Sequence, residues 1–251
     1  MGRIIAVVNQ KGGVGKTTSA VNLTAALTEA GKKVLLCDFD PQANATSGLG
    51  LDKRKVKRSV YDVVVGDAPV TDTIVKTPFG DVLPSSADLA GAAVELLSVP
   101  EPNYRLRNAL NQIRDGYDVI LIDCPPSLEL LTINALAAAD SILVPVQCEY
   151  YALEGLADLM NTLRLMKKRI NPGLEIFGVA LTMFDGRTNF SNQVAQEVRR
   201  HFPGKVFATV IPRNIRLAEA PSHGLPVTVY DRSSRGAEAY RAMTEEILRR
   251  I

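Results

Sequence analysis

Lys11-Gly12-Gly13-Val14-Gly15-Lys16-Thr17-Thr18 brings together the residue types that capture a phosphate group. Glycines at 12, 13 and 15 let consecutive backbone N–H groups turn toward one anion. Lys16 adds a point charge, and Thr17 offers a hydroxyl to a hard cation such as Mg2+ at a helix start. The commoner form of this loop has glycine six residues before its lysine; here Gln10 holds that place and a further lysine, Lys11, stands inside the loop. A dinucleotide fingerprint is excluded, because Thr18 occupies the position of its third glycine. The chemistry expected is that of a nucleoside triphosphate with Mg2+.

Two carboxylate motifs follow apolar runs: Asp38-Phe39-Asp40-Pro41-Gln42 after 34–37, and Asp123-Cys124-Pro125-Pro126 after 119–122. An acidic residue ending a buried strand beside a phosphate loop suits the Mg2+ shell, because a hard cation takes oxygen ligands and keeps several waters. Thr17 is the expected direct ligand, with Asp38, Asp40 and Asp123 acting through water. Asp40 lies past its strand, in a turn stiffened by Pro41, where a carboxylate can position or activate water aimed at a terminal phosphate. Lys11, Lys16 and Asp40 form the expected catalytic set. His201 and His223 are the only histidines, and neither falls in a pattern with Ser and Asp that suggests acyl transfer.

These residues need a frame to hold them. Apolar runs at 4–8, 34–37, 119–122, 142–146, 176–181 and 206–211 read as strands. Helix-period segments lie between most of them: 17–30 (stopped by Gly31), 129–139, 153–170 (ended by Asn171-Pro172-Gly173), 189–202 and 236–251. Strands that are apolar throughout, separated by helices, predict a doubly wound α/β fold: a mainly parallel sheet with helices on both faces. Ligands on such sheets sit beyond the carboxyl ends of the strands, where both carboxylate motifs fall.

The chain has 251 residues, 46% of them hydrophobic, enough for a sizeable core, and no linker divides it, so residues 1–251 read as one domain. Nothing resembles a signal peptide and no apolar run reaches a membrane span, so a cytoplasmic protein is expected. Cys37, Cys124 and Cys148 share no ligand spacing and end apolar runs, which reads as buried small hydrophobes. The net charge is +2, but residues 151–251 hold five more basic than acidic residues while 1–150 hold three more acidic than basic. A C-terminal basic surplus is compatible with a polyanion partner. The dense run Lys53-Arg54-Lys55-Val56-Lys57-Arg58 reads equally well as a solvated loop.

Taken together, the loop at 11–17, Asp38-Phe39-Asp40-Pro41-Gln42-Ala43-Asn44 and Asp123-Cys124-Pro125-Pro126-Ser127 resemble the deviant-Walker-A ATPases of the ParA/MinD superfamily, a branch of the P-loop NTPases. The segments 145–155 (PVQCEYYALEG) and 211–222 (IPRNIRLAEAPS) are similar to the chromosomal ParA, or Soj, type. The resemblance spans about Ile4 to Ala239. It implies an ATP-dependent homodimer that sandwiches two nucleotides, with Lys11 of each subunit entering the partner's site. It further implies non-specific binding of double-stranded DNA by the ATP-bound dimer, and release on hydrolysis stimulated by a ParB (Spo0J) partner. That makes a chromosome- or plasmid-segregation ATPase, cytoplasmic and nucleoid-associated.

By the same resemblance Gly12, Gly13, Val14, Gly15, Lys16, Thr17 and Thr18 hold the nucleotide with Lys11, Pro212 and Asn214 lie near the base, and Arg187, Arg213 and Arg216 touch DNA. Phosphate-directed arginines give affinity without sequence readout, which suits a carrier on bulk chromosome. A MinD-like membrane-cycling ATPase would carry a C-terminal amphipathic anchor, whereas Glu245 to Ile251 read as part of the last core-packing helix, so no membrane partner is expected. An iron–sulfur reductase of this superfamily would need paired bridging cysteines. A small-molecule ATP-dependent ligase of the same fold, such as dethiobiotin synthetase, would turn over ATP only with its substrate and ignore DNA.

Overall fold

The computed structural model describes every residue except Leu128, Tyr150 and Tyr151, together with the side chains of 152–155 and Ala157. The Tyr150-Tyr151 part of the segment similar to the Soj type therefore lies outside the described residues. Among the described residues seven strands form: β1 (Arg3–Val7), β2 (Val34–Asp38), β3 (Val75–Thr77), β4 (Gly80–Leu83), β5 (Val119–Asp123), β6 (Ser141–Gln147) and β7 (Glu175–Thr182). Helices α1 (Lys16–Glu29), α2 (Asn44–Gly48), α3 (Val60–Val64), α4 (Ala92–Glu95), α5 (Arg105–Ile113) and α6 (Leu130–Ala138) precede α7 (Ala152–Arg169), α8 (Asn189–His201), α9 (Ile215–Glu219), α10 (Val227–Tyr230) and α11 (Arg235–Leu248).

The strands form one sheet in the order β3-β4-β2-β5-β1-β6-β7, and only the β3–β4 pair is antiparallel. Alternation along each strand divides the interior. Ile4, Ala6, Leu35, Cys37, Ile120 and Ile122 join a core with residues of α3, α5, α6, α7 and α8. Ile5, Val7, Val34, Leu36, Val119 and Leu121 join a second core with α1, α10 and α11. Because both faces are covered, each strand reads as a continuous apolar run, which is how the doubly wound fold was legible.

Two features depart from the sequence reading. The hairpin β3–β4 has no long apolar run: exposed Val75 and Lys76 mark β3 as a sheet edge, where lysine discourages further pairing. The expected strand at 206–211 is interrupted. Phe207 N–H donates to Val179 O (3.0 Å) and Ile211 N–H to Leu181 O (2.8 Å), but between them the N–H groups of Ala208 and Thr209 donate to the Glu246 carboxylate at 2.9 and 2.7 Å. A side chain of α11 thus replaces the ladder, leaving isolated bridges Val179 to Val206 and Phe184 to Pro212.

Candidate nucleotide site

The carboxyl end of β1 feeds the loop 8–15 between the neighbouring ends of β5 and β6. Gly13 (φ 75°) and Gly15 (φ 91°) take left-handed backbone, which costs a residue with a Cβ roughly 1–2 kcal/mol. Gly15 is the N-cap of α1, so the loop's free N–H groups and the positive end of α1 face the same space. Two side chains fix the loop, one from within it and one from β7. Asn9 accepts from Lys11 N–H (3.0 Å) and donates to Pro145 O (2.7 Å), and the Thr182 hydroxyl donates to Val14 O (2.8 Å).

A cavity of about 680 Å³ opens over this loop, lined by Gly12, Gly13, Gly15, Lys16, Thr17 and Thr18 on one side and Asp40, Gln42 and Asn44 on another. Pro212, Arg213, Asn214 and Tyr240 also line it. The volume suits a nucleotide. Lys16 is buried and its ammonium donates to Lys11 O at 3.0 Å. Burial lowers its pKa, opposed by the charge of Asp123, so the site gains from an anion that restores the ammonium's partners.

The three aspartates differ in what they hold. Asp40 Oδ1 accepts from Gln42 N–H (2.9 Å) in an Asx-type turn, and Asp40 lines the cavity. Asp38 is fully buried; its Oδ2 accepts from the Thr46 N–H and hydroxyl, both at 2.7 Å, and its Oδ1 from Asp40 N–H at 3.3 Å. Through these three hydrogen bonds Asp38 ties the turn of Asp40 to Thr46. Burial pushes its carboxyl up to about 6 against those hydrogen bonds.

Asp123 is also fully buried, and neither of its carboxylate oxygens has a hydrogen-bond partner. Burial drives its pKa well up, the neighbouring Asp38 charge adds to this, and Thr17 and Lys16 oppose it. Such an orphaned carboxylate beside a threonine hydroxyl fits a hydrated divalent cation. Among the described residues no group of three or more His, Cys, Asp or Glu could cage a metal, so a cation here would rest on Thr17, water and phosphate oxygens.

Of the remaining expected residues, Val14 turns its side chain into the fold and can contribute only backbone. Lys11 does not line the cavity of its own chain: its ammonium is turned onto Glu149 (3.4 Å), with the side chain 33% exposed. Glu149 also lies near Arg213 (3.8 Å) and bonds Gln147. Asn214 caps α9 by accepting from Arg216 N–H (2.8 Å). Arg187 is 90% exposed and paired with Asp185 through two hydrogen bonds, and Arg216 pairs with Glu219 (2.8 Å) and Asp231 (3.1 Å). Each of the three arginines therefore faces a carboxylate. Cys37, Cys124 and Cys148 are buried free thiols, and burial raises the pKa of each.

Asn9, Gln42, Thr46, Thr182 and Tyr240 went unread in the sequence. A polar residue at the end of an apolar strand was the available signal for Asn9 and Thr182. Thr46 and Tyr240 carried none.

Residues 2–176 match the family model described as an AAA domain. The chain is 57% identical over 249 residues to the sporulation initiation inhibitor protein Soj of Bacillus subtilis, covering 98% of each. It is 51% identical over 252 residues to the chromosome partitioning protein ParA of Caulobacter vibrioides, covering 99% of this chain and 94% of that one. A Mycobacterium smegmatis structure described as cobyrinic acid a,c-diamide synthase with bound ADP and magnesium superposes with a TM-score of 0.87 at 40% identity, over 99% of this chain and 95% of that chain. A loop that leaves one lysine outside its own cavity, an aspartate pair behind a threonine and full-length identity above half agree: the chain belongs to the ParA/Soj family of chromosome-partitioning ATPases.

Proposed function

We propose that this chromosome-partitioning ATPase binds ATP and Mg2+, joins through the nucleotide into a dimer that holds bulk double-stranded DNA, and lets go after hydrolysis. The observation that carries the reading is Lys11, which sits on the phosphate loop yet points out of its own cavity. An ammonium so placed can reach the phosphates of an opposing copy, making the nucleotide part of the interface and its loss a cause of separation.

Gly12, Gly13, Val14, Gly15, Thr18 and Lys16 would cradle the phosphates through N–H groups and charge, and Pro212 and Asn214 would flank the base. Thr17, Asp123 and Asp40 would hold Mg2+, with Asp38 fixing Asp40 from behind. When bound, the cation neutralises charge building on the phosphates. Asp40, which lines the cavity, would orient the attacking water, and Lys16 would hold the position of the terminal phosphate.

Arg187, Arg213 and Arg216 are the candidate DNA contacts. Exposed ion pairs of the kind they now make are worth about 0–1 kcal/mol, so exchange of a carboxylate for a DNA phosphate costs little. A ParB-type centromere-binding protein is the proposed stimulating partner, and the nucleoid the proposed location. The described residues contain no helix long and apolar enough to cross a membrane.

Sizing by light scattering with and without ATP and Mg2+, followed by addition of random duplex DNA, tests this. A dimer should appear only with ATP, and only the dimer should bind DNA; an unchanging monomer indifferent to DNA refutes it. The likeness to a structure described as a cobyrinic acid a,c-diamide synthase favours one second reading, a small-molecule ligase. That reading requires turnover dependent on an organic acid and insensitive to DNA.

A further inference from the structure

The segment leaving β4 carries an apolar face that no described residue covers. Leu89, Ala92 and Leu96 are buried in the core. Val94 and Leu97, on the outer side of α4 and the helical turn that follows, are 73% and 71% exposed. Three residues apart, they stand side by side. Exposed Asp88, Glu95 and Glu101 flank them, and residues 86–104 include no Lys, Arg or His. The next cations along the chain are engaged: Arg105 with Asp67 and with Val64 O (2.8 Å), and Arg107 over the Tyr104 ring (5.9 Å).

Charge decides what can sit here. An apolar pair between carboxylates repels DNA and anionic headgroups alike, and it attracts a polypeptide whose apolar anchors are flanked by Lys or Arg.

The face is also wired to the nucleotide site. Where the segment leaves β4, Ser85 N–H donates to Thr46 Oγ1 (3.0 Å), Thr46 Oγ1 donates to Asp38 Oδ2 (2.7 Å), and Asp38 Oδ1 accepts from Asp40 N–H (3.3 Å). Tyr61 OH donates to Glu95 Oε2 (2.7 Å), and the Ser59 and Ser86 hydroxyls meet at 3.0 Å, so hydrogen bonds tie α3 to the segment.

We infer that the Val94 and Leu97 face is the docking surface for a basic, apolar-anchored segment of a partner protein, which acts on Asp40 through Ser85, Thr46 and Asp38. The link to turnover rests on the role proposed above for Asp40; the surface itself does not.

The test uses a short fluorescent peptide with two leucines three residues apart among arginines, and a control with glutamate for arginine. Wild type should bind the basic peptide, more weakly as salt rises, and should ignore the control. Val94→Ser/Leu97→Ser and Glu95→Gln/Glu101→Gln proteins should bind roughly tenfold more weakly or worse while keeping basal ATP turnover. The peptide should change turnover of wild type only. Equal affinity for wild type and the serine double variant, or no binding to wild type, overturns the surface. Binding without any change in turnover overturns the Asp40 link. Self-association of wild type that the serine variant abolishes assigns the face to a second copy and overturns the partner. A wild type that hydrolyses no ATP refutes the proposed function instead, and peptide anisotropy still decides the surface.

Discussion

Thr46→Val is the substitution that most directly probes how the aspartates are held. The side chains match in shape, so the change removes only the hydroxyl, which donates to Asp38 Oδ2 (2.7 Å) and accepts from Ser85 N–H (3.0 Å). A bond to a buried charge is worth about 1.5–3 kcal/mol, and a buried N–H left without an acceptor costs about 1–3 kcal/mol, so the loss should be roughly 3–5 kcal/mol. Thr46→Ser keeps the hydroxyl and serves as control.

The sign of the pH dependence follows from Asp38. Its carboxyl titrates at about 6 in the fold, above its ordinary value, so the stability it contributes is complete below about pH 4 and is lost as pH rises through about 6. Above that range the Thr46 hydroxyl bonds a charge, and below it a neutral acid. The Val–Ser difference in urea unfolding should therefore be roughly 3–5 kcal/mol near pH 8 and shrink to about 2–3 kcal/mol near pH 5. A difference below about 1 kcal/mol at both, or one that grows on acidification, would refute the idea that Thr46 supports a buried charge.

Asp40→Ala should keep ATP and accumulate a stable dimer on light scattering, and normal hydrolysis by this variant removes Asp40 from the mechanism. Lys11→Ala should still bind a fluorescent ATP analogue yet stay monomeric with ATP, so an ATP-dependent dimer of this variant contradicts a role across the interface. Arg216→Ala should alter stability by no more than about 1 kcal/mol, Arg216 itself being exposed, while weakening unrelated duplexes equally and flattening the salt slope by about one unit. Unchanged duplex binding moves the DNA surface elsewhere.

Local chemistry made much of the site legible. A glycine loop between an apolar strand and a helix start has few other uses, because left-handed glycines and clustered N–H groups are needed where an anion is gripped. The strands were legible because a sheet covered on both faces tolerates few polar side chains. The same rule hid the short hairpin of edge strand β3 with β4 and overextended 206–211, where Glu246 of α11 supplies the acceptor that a neighbouring strand would otherwise provide.

What the sequence settled by itself was most of the inventory: five of the strands, the loop, the carboxylates, and the end of the sheet at which they meet. Tertiary structure alone decided their division of labour. Asp38 is bonded to Thr46 eight residues on, Asp123 is left with two orphaned oxygens, and Lys11 is drawn 138 positions along the chain to Glu149. Hydrogen bonds and burial depend on distance in space, and spacing along the chain does not encode that distance once the fold brings remote residues together.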